Sequence, residues 1–503
     1  MQEVQTGTAR HEPEWGMAQE VVEAACEVVA TVVAALWRAP LVMGAAGWAA
    51  YDLWLWWIGD LAAAGVLLAG PVTAVLALWL VRPEWVARLR SVLVGQWLRV
   101  AVYRPRWETA VMAAGVVTRM GRRVDVPRLR EHHHTRQGRD VLVVRCAAGQ
   151  TLADWEAACP SLASTFTAHS VRARAASRPG WVVLDVLRRD PLAGEVSAPN
   201  PARRPASGPL VLGVDEHGNA FGFDPTATAH AALQGATRSG KSSTCYTVLA
   251  GLAHRLDVVV AGVDPSGILL APFTTGRGAP FIATGTRPED LDHAVTALAG
   301  LIELMDDRIR DLLAQGLDKI TDFTPAVPAV WIVLEEYPGL LAAAKALDAQ
   351  RGAKPGDRLA PRLETAVGRL VKEGAKVGVL VLAIAQRMSA DAIKTDDRMN
   401  LALRITHRVD NTDAVAMLHE GLSRDQAVAV RGFAPGVALA EQPGHDLRRV
   451  RMHHTSYAHY RTRVAKGLVT HAGPALGCHL TGEVVSLAAT TSGEVGTTGR
   501  GAA

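Results

Sequence analysis

The residues with the clearest chemical meaning form a short glycine-containing string near the middle of the chain. It reads Gly235, Ala236, Thr237, Arg238, Ser239, Gly240, Lys241, Ser242 and Ser243. Such glycines let backbone N–H groups turn toward a polyphosphate, while the lysine binds the β- and γ-phosphates and the serine after it can bind Mg²⁺. An apolar strand precedes the string and a proline-free apolar helix follows it, which favours a phosphate-binding loop over an ordinary turn. The sequence therefore predicts that residues 235–243 bind a nucleotide, with Ser242 as a ligand of Mg²⁺.

Two acidic residues, Glu335 and Glu336, follow a predicted buried strand over residues 330–334. In a P-loop enzyme the first acid holds Mg²⁺ through water, and the second polarises the attacking water. A few hydrophobic residues followed by two acids are a weak pattern alone. Placed one strand after a phosphate-binding loop, they favour a site that hydrolyses a nucleotide, with Glu335 at the metal and Glu336 as the catalytic residue.

Two further polar residues lie on the next predicted strands. Gln386 ends a strand over residues 377–385 and could reach the γ-phosphate or the attacking water, although a surface glutamine is the alternative. Arg404, on a strand over 401–406, could act on the γ-phosphate of a neighbouring subunit or serve equally well as a structural ion-pair partner. Strands that alternate with helices predict an α/β fold with a parallel, doubly wound sheet and the site at the carboxyl ends of the strands.

Composition bounds the rest of the molecule. The chain has 503 residues with 20% charged, a net charge of +4 and five cysteines. Its mean hydropathy of +0.12 is high for a soluble protein and suggests a membrane part. The small net charge does not identify a nucleic-acid binder, but Arg outnumbers acidic residues between Arg82 and Arg145. The scattered cysteines show no metal-binding spacing or disulfide framework, which is typical of a reducing cytoplasm.

Two apolar stretches near the N-terminus, residues 39–58 and 61–81, are each about long enough to cross a hydrocarbon core. Only Gly59 and Asp60 separate them, so they would form a tight hairpin. Arginines at the outer ends place both termini in the cytoplasm of a cell-membrane protein by the positive-inside rule. A buried helical hairpin in a soluble domain is the alternative.

A small α+β domain is predicted after the hairpin. Residues 141–146, 170–175 and 181–187 alternate or cluster as strands, and residues 151–166 form a helix capped by Thr151 and Asp154. The run of histidines at residues 132–134 is interpreted as an exposed polar stretch and not as a metal site, because neighbouring side chains on a strand point apart. A proline-rich linker separates this domain from the part that carries the loop.

These strings together resemble the FtsK/SpoIIIE group of ring-forming DNA translocases. The resemblance rests on LQGATRSGKSS, VDPSG, VWIVLEEYPGL, VGVLVLAIAQRMSADAI, NLALRITHRVDNTDAVAMLHEG and RGFAPGVAL. The middle domain is similar to the one that precedes the motor in the Tra translocases of mycelial actinobacteria. The resemblance implies a RecA-like P-loop ATPase of the additional-strand, catalytic-glutamate class. It would use ATP and Mg²⁺, form a membrane-anchored hexamer and move double-stranded DNA between cells, together with other transfer proteins of the same element.

The chain departs from that family's pattern in three places. Glu335 stands where such motors have Asp, Ser266 replaces the Lys of a D-P-K-G string, and Ala385 replaces the Thr before the glutamine. The role of Glu335 is therefore the least secure of the site assignments.

The domain organisation follows from these patterns. We expect an N-terminal segment (1–37), a transmembrane hairpin (38–82), basic juxtamembrane helices (83–118), the α+β domain (119–198), a linker (199–208), the motor (209–460) and a disordered tail (461–503). Three other functions stay open beside a DNA translocase: a protein-secretion ATPase, a coupling protein for single-stranded DNA and a membrane-tethered nucleotide switch.

Overall fold

The protein is described here from a computed structural model. It describes residue 51 and residues 53–58, 83–121, 123–135, 138–199, 208–388, 395–419 and 421–470. The N-terminal segment, nearly all of the predicted hairpin and residues 471–503 lie outside these ranges. Within them, no helix combines the length and the apolar character needed to cross a membrane. The chain divides into two compact units between Asp190 and Pro191.

The first unit is a small α+β domain. Its helices are α1 (Pro83–Leu98), α2 (Arg104–Ala113) and α3 (Leu152–Thr165), with a π-helical turn at Arg99–Tyr103 between the first two. Its strands are β1 (Thr118–Met120), β2 (Arg123–Asp125), β3 (Arg128–His134), β4 (Arg139–Arg145), β5 (Ser170–Ala175) and β6 (Trp181–Leu187). The last four form an antiparallel sheet in the order β3-β4-β6-β5, and β1 pairs with β2. Thr151 and Asp154 form the predicted capping box at the start of α3.

Helices α1 and α2 belong to the core of this unit. Trp107 of α2 is buried and stacks on Trp155 of α3 and on Phe166, with ring centroids 6.4 and 6.3 Å apart. Tyr103, which is fully buried, contacts Phe166 edge to face. The expected juxtamembrane helices are therefore packed on the sheet of the α+β domain and do not form a segment separate from it.

The histidine run differs from the expected exposed stretch at two of its three residues, because His133 is exposed but His132 and His134 are not. His132 and His134 are two residues apart on β3, so their side chains lie on the same face. Both contact Oδ1 of Asp140 on β4, at 3.3 and 2.6 Å, while Arg188 donates to its Oδ2 at 3.1 Å. Burial raises the pKa of Asp140, but hydrogen bonds from His132, Tyr103 and His134 outweigh it and lower the pKa to about 2. These histidines hold a buried carboxylate, which stabilises the pairing of β3 with β4.

The second unit contains one large sheet. Its strands are β7 (Val196–Ser197), β8 (Leu210–Asp215), β9 (Ala220–Phe223), β10 (His230–Gln234), β11 (Val258–Asp264), β12 (Ile282–Thr284), β13 (Ala329–Glu335), β14 (Val379–Ala385), β15 (Leu401–His407), β16 (Val437–Glu441) and β17 (Arg448–His454). Its helices are α4 (Lys241–Leu252), α5 (Pro288–Ala314), α6 (Tyr337–Arg351), α7 (Leu359–Glu373), α8 (Thr395–Arg398), α9 (Thr412–Leu418), α10 (Arg424–Arg431) and α11 (Tyr457–Thr470).

The sheet is mixed, whereas the sequence predicted a parallel one. Its order is β12-β11-β13-β14-β10-β15-β16-β17-β8-β9, with β7 beside β17. The half from β12 to β15 is parallel, and the pairs from β15 to β9 are antiparallel. Strand β14 lies between β10, which leads into the loop, and β13, which carries the acids. This inserted strand agrees with the predicted P-loop class.

Helices cover both faces of the parallel half. Alternate residues of β13 enter two different cores: Val330, Ile332 and Leu334 pack with α5, α6 and α7, while Ala329, Trp331 and Val333 pack with α4. Because both faces are buried, the strands are continuous apolar runs without polar alternation.

The second unit has boundaries that differ from the expected ones. Strand β7 pairs in parallel with β17, so residues 196–197 belong to this unit and not to the α+β domain. Helix α11 continues to Thr470, and its Tyr460 is fully buried and stacks on Tyr246 of α4 at 4.8 Å. The prediction that residues 461–470 are disordered is therefore wrong, because this helix packs on α4.

Candidate functional site: a phosphate-binding loop facing two acids

The loop between β10 and α4 is held in shape by its two glycines. A Cβ at Gly235 would lie 2.6 Å from Ser239 Oγ and 2.7 Å from the Cβ of His407. Gly240 has a φ of 108°, and a Cβ there would lie 2.6 Å from the backbone N of Gly436. Both positions therefore require glycine, one because of the contact with β15 and the other because of its backbone angle and the contact with the chain before β16.

The loop leaves a group of backbone donors available. Gly235 N–H donates to Ala385 O and Ala236 N–H donates to Arg408 O, at 3.3 and 2.8 Å, which ties the loop to β14 and β15. In the described chain, no backbone acceptor pairs with the N–H groups of residues 237, 238 and 240–243. The buried Ser239 Oγ also lacks a hydrogen-bond partner there. Such a row of donors at a helix N-terminus suits a polyphosphate.

A buried histidine supports the loop from beneath. His407, the last residue of β15, contacts Thr244 Oγ1 through Nε2 at 2.9 Å and Val437 O through Nδ1 at 3.2 Å. Burial lowers its pKa to about 4. The neutral ring is thus assigned as a donor to the Val437 carbonyl and an acceptor from the Thr244 hydroxyl, which fixes α4 to β15 and β16.

The first residue of α4 meets the second acid of the pair. Lys241 Nζ forms an ion pair with Glu336 Oε1. The other carboxylate oxygen of Glu336 accepts a hydrogen bond of 3.4 Å from the backbone N–H of Gln386. Glu336 itself has a φ of 43°, in the left-handed region, and its N–H donates to Ile384 O at 2.9 Å. The strand end of β14 therefore positions Glu336 against the loop.

Glu335, the first acid of the pair, is partly buried and lies near a second carboxylate, that of Asp264. Burial, and then the negative charge of Asp264, raise the pKa of Glu335 to about 7. Asp264 ends β11 and is fully buried, and its carboxylate accepts from Ser266 N at 3.0 Å, from Leu269 N at 2.7 Å and from Leu270 N at 2.9 Å. The sequence assigned no role to Asp264, although it is the second residue of the quoted string VDPSG.

The predicted residues converge on one cleft of about 610 Å³. Its lining includes Ala236, Thr237, Arg238, Gly240, Lys241, Ser242, Ser243, Glu335, Glu336 and Gln386. Gly235 and Ser239 are buried beneath it. The cleft is completed by residues that were given no role from the sequence: Glu195, Ser266, Pro435, Gly436, Arg451, His453 and His454. Several of these come from β17, and Glu195 directly precedes β7, which pairs with β17, so only the fold brings them to the loop.

Arg404 lies elsewhere. It is not part of the cleft lining, and its guanidinium donates to the carbonyls of Leu401 at 3.0 Å, Leu418 at 3.1 Å and Arg398 at 3.3 Å. It also contacts Glu441 at 3.5 Å. Of the two predicted roles, this geometry favours the structural one, because the guanidinium binds groups of its own chain.

The donor set fits a magnesium nucleotide. Unpaired N–H groups and Lys241 suit the phosphates, while the hydroxyl of Ser242 and the carboxylate of Glu335 are oxygen ligands of the kind that Mg²⁺ prefers. The described residues contain no cluster of three or more His, Cys, Asp or Glu side chains that would hold a metal unaided. A magnesium ion here would therefore need phosphate oxygens as partners, as is usual for this ion.

Comparison with known proteins identifies the domain. Residues 195–391 match the model of the FtsK/SpoIIIE family. The chain is 28% identical over 369 residues to the transfer protein TraSA of Streptomyces ambofaciens, covering 70% of this chain and 84% of that protein. It is 28% identical over 262 residues to the DNA translocase FtsK of Mycobacterium leprae (strain TN), covering 49% of this chain and 29% of that protein.

A solved structure of the conjugation coupling protein TcpA of pCW3, in a monomer form with ATPγS, covers 72% of this chain at 16% identity, with a TM-score of 0.43. The alignment spans 98% of that structure. The match of residues 195–391 includes the loop, both acids and Gln386, so the chain carries an FtsK/SpoIIIE-type ATPase domain.

Proposed function

We propose that the protein is a membrane-anchored, ATP-driven translocase of double-stranded DNA that assembles as a ring, with six copies expected, and serves conjugal transfer. The proposal rests on the phosphate-binding loop that faces Glu335 and Glu336 across an inserted strand, within a domain of the FtsK/SpoIIIE family. The alignment with a transfer protein runs through most of that relative's length, which supports a role in transfer.

The geometry suggests how the side chains share the work. Lys241 would bind the phosphates, and the nucleotide must compete with Glu336 for its ammonium. Glu336, once released, is held by the backbone N–H of Gln386 near the loop, where it can orient the attacking water and accept its proton. Ser242 and Glu335 would hold Mg²⁺, which, when bound, offsets the negative charge of the phosphates.

The substrate is tested by the ATPase rate of the purified full chain with different nucleic acids. We expect linear duplex DNA to stimulate hydrolysis and single-stranded DNA to have no comparable effect. Because a translocase contacts phosphates without reading sequence, the stimulation should be independent of sequence and should weaken as salt rises. Stimulation by single strands alone would instead favour a single-stranded-DNA coupling ATPase, and no response to either would favour a protein-secretion ATPase.

Membrane anchoring is proposed for the apolar residues 39–58 and 61–81, which are about long enough for two spans with arginines at the outer ends. Reporter fusions test it. A tag inserted at Asp60 should be accessible from outside the cell, whereas tags at the two termini should be protected. Accessible tags at either terminus would contradict this topology.

A further inference from the structure

Arg238, at the tip of the loop, has a backbone conformation that arginine rarely adopts. Its φ is 60°, in the left-handed region, where a side chain costs on the order of 1 kcal/mol relative to glycine. The neighbouring backbone imposes this angle, because Ser239 N donates to Ala236 O at 3.2 Å and Gly436 N donates to Ser239 O at 2.8 Å. A glycine would fit this position without strain, so the arginine side chain needs another reason to be there.

The guanidinium of Arg238 is free to bind a ligand. The side chain is exposed, lines the cleft together with Lys241, and makes no hydrogen bond or ion pair with the part of the chain that the structure describes. Arg451, the other arginine of the cleft, differs in that it donates to Leu192 O at 2.7 Å and to Pro435 O at 2.6 Å.

The charges of the cleft show why a positive charge on the loop, in addition to Lys241, favours nucleotide binding. Glu195, Glu335 and Glu336 line it and the charge of Asp264 acts on Glu335, whereas Lys241 is already paired with Glu336. A triphosphate entering this acidic surrounding gains from a further fixed positive charge. The planar fork of an arginine can bind two phosphate oxygens at once, which an ammonium cannot do.

We propose that Arg238 is a second phosphate-binding side chain, whose guanidinium binds the terminal phosphate of the nucleotide held by the same loop and so selects triphosphate over diphosphate. In the general mechanism of such loops this position contributes only its backbone N–H. The inference rests on the proposed nucleotide site, and it assigns the selection between ATP and ADP to one side chain.

The test compares Arg238→Gly and Arg238→Lys with the wild-type full chain in detergent, using ATPγS and ADP with Mg²⁺ in a calorimetric binding assay. Arg238→Gly removes the strained angle, so its unfolding temperature should equal or exceed that of the wild type. Its affinity for ATPγS should fall about 10-fold and its affinity for ADP by less than about twofold, as expected for one lost charge-assisted hydrogen-bonded contact. Arg238→Lys should recover part of the ATPγS affinity.

Unchanged ATPγS affinity in a folded Arg238→Gly variant would overturn the inference, and so would equal losses for ATPγS and ADP. Unchanged binding together with a lower ATPase rate would also overturn it, because the side chain would then act in hydrolysis and not in binding the triphosphate. If the wild-type protein itself bound neither nucleotide, the proposed function would fail and not this inference alone.

Discussion

In the proposed mechanism, hydrolysis depends on Glu336. It is held on one side by the ammonium of Lys241 and on the other by the backbone N–H of Gln386. The phosphates of a nucleotide would compete with Glu336 for the ammonium group of Lys241. The carboxylate of Glu336 becomes available only when the phosphates bind Lys241 in its place. If Glu336 is the catalytic carboxylate, as proposed, this ion pair would couple nucleotide binding to its release.

We predict that Glu336→Gln abolishes ATP hydrolysis and raises the affinity for ADP several-fold, roughly 1 kcal/mol, because the neutral amide no longer competes for Lys241. Turnover and ADP titrations measure the two effects separately. The matched control is Glu335→Gln, which should instead change the Mg²⁺ dependence of turnover and leave ADP affinity without Mg²⁺ near the wild-type value. Lys241→Ala should lose both binding and hydrolysis. An ADP affinity unchanged in Glu336→Gln would show that the ion pair does not oppose binding.

The residues of the site could be predicted from the sequence, but only some of the contacts between them could. The string from Gly235 to Ser243 and the acids after β13 are local patterns, so their types and spacing pointed to the same chemistry. The contacts of His407 with Thr244 and with Val437 join groups that no short pattern connects. Such contacts depend on which strands are neighbours, and the sequence does not state that order.

At the scale of elements, the loop is fitted between β10, α4 and the turn that precedes β16. A side chain at Gly240 would overlap the backbone of Gly436, whose N–H donates to Ser239 O at 2.8 Å. The antiparallel half of the sheet thus contributes to the site, because the turn that leads into β16 forms one wall of the loop.

We predict that Gly240→Ala destabilises the second unit by about 2–4 kcal/mol, because the new methyl group would both occupy a left-handed position and overlap the Gly436 backbone. Chemical denaturation followed by circular dichroism measures the change. Gly432→Ala is the control: its Cβ would meet nothing closer than Ala429 O at 3.5 Å, and Gly432 has a φ of −89°. Equal stability of the two variants would contradict the close packing described here.

Strand β14 was predictable from the sequence and strand β17 was not, for a physical reason. Strand β14 is buried on both faces and is a continuous apolar run, which can be recognised in the sequence. Strand β17 carries charged side chains whose partners are distant in the chain: Arg448 contacts Asp215 at 3.6 Å and Arg449 contacts Glu216 at 2.7 Å. Because β17 contains these polar residues, it lacks the continuous apolar run by which a buried strand is recognised in a sequence.

At the scale of the whole molecule, each unit buries ionisable groups whose pKa is lowered, histidines in the second unit and an aspartate in the first. The second unit buries the neutral imidazoles of His230 and His407, and burial lowers the pKa of each to about 4. The first unit buries the ionised carboxylate of Asp140, with a pKa of about 2. Both arrangements are compatible with a stable folded state at neutral pH. The free energy of unfolding falls as the pH is lowered, but over a different pH range for each unit.

The two units should consequently lose stability in sequence as the pH falls. The unfolded chain protonates a histidine near pH 6.5 and the folded second unit only near pH 4, so stability is lost between these values, on the order of 3 kcal/mol for each histidine. The unfolded chain protonates an aspartate near pH 3.9, and the folded first unit protonates Asp140 only near pH 2. Its loss of stability therefore begins at lower pH and is on the order of 2 kcal/mol.

Scanning calorimetry between pH 7 and pH 3 should show the transition of the second unit moving to lower temperature before that of the first. Asp140→Asn should shift only the transition that is more resistant to acid. If both transitions moved together from pH 6.5, the buried histidines would not be what makes the second unit sensitive to acid.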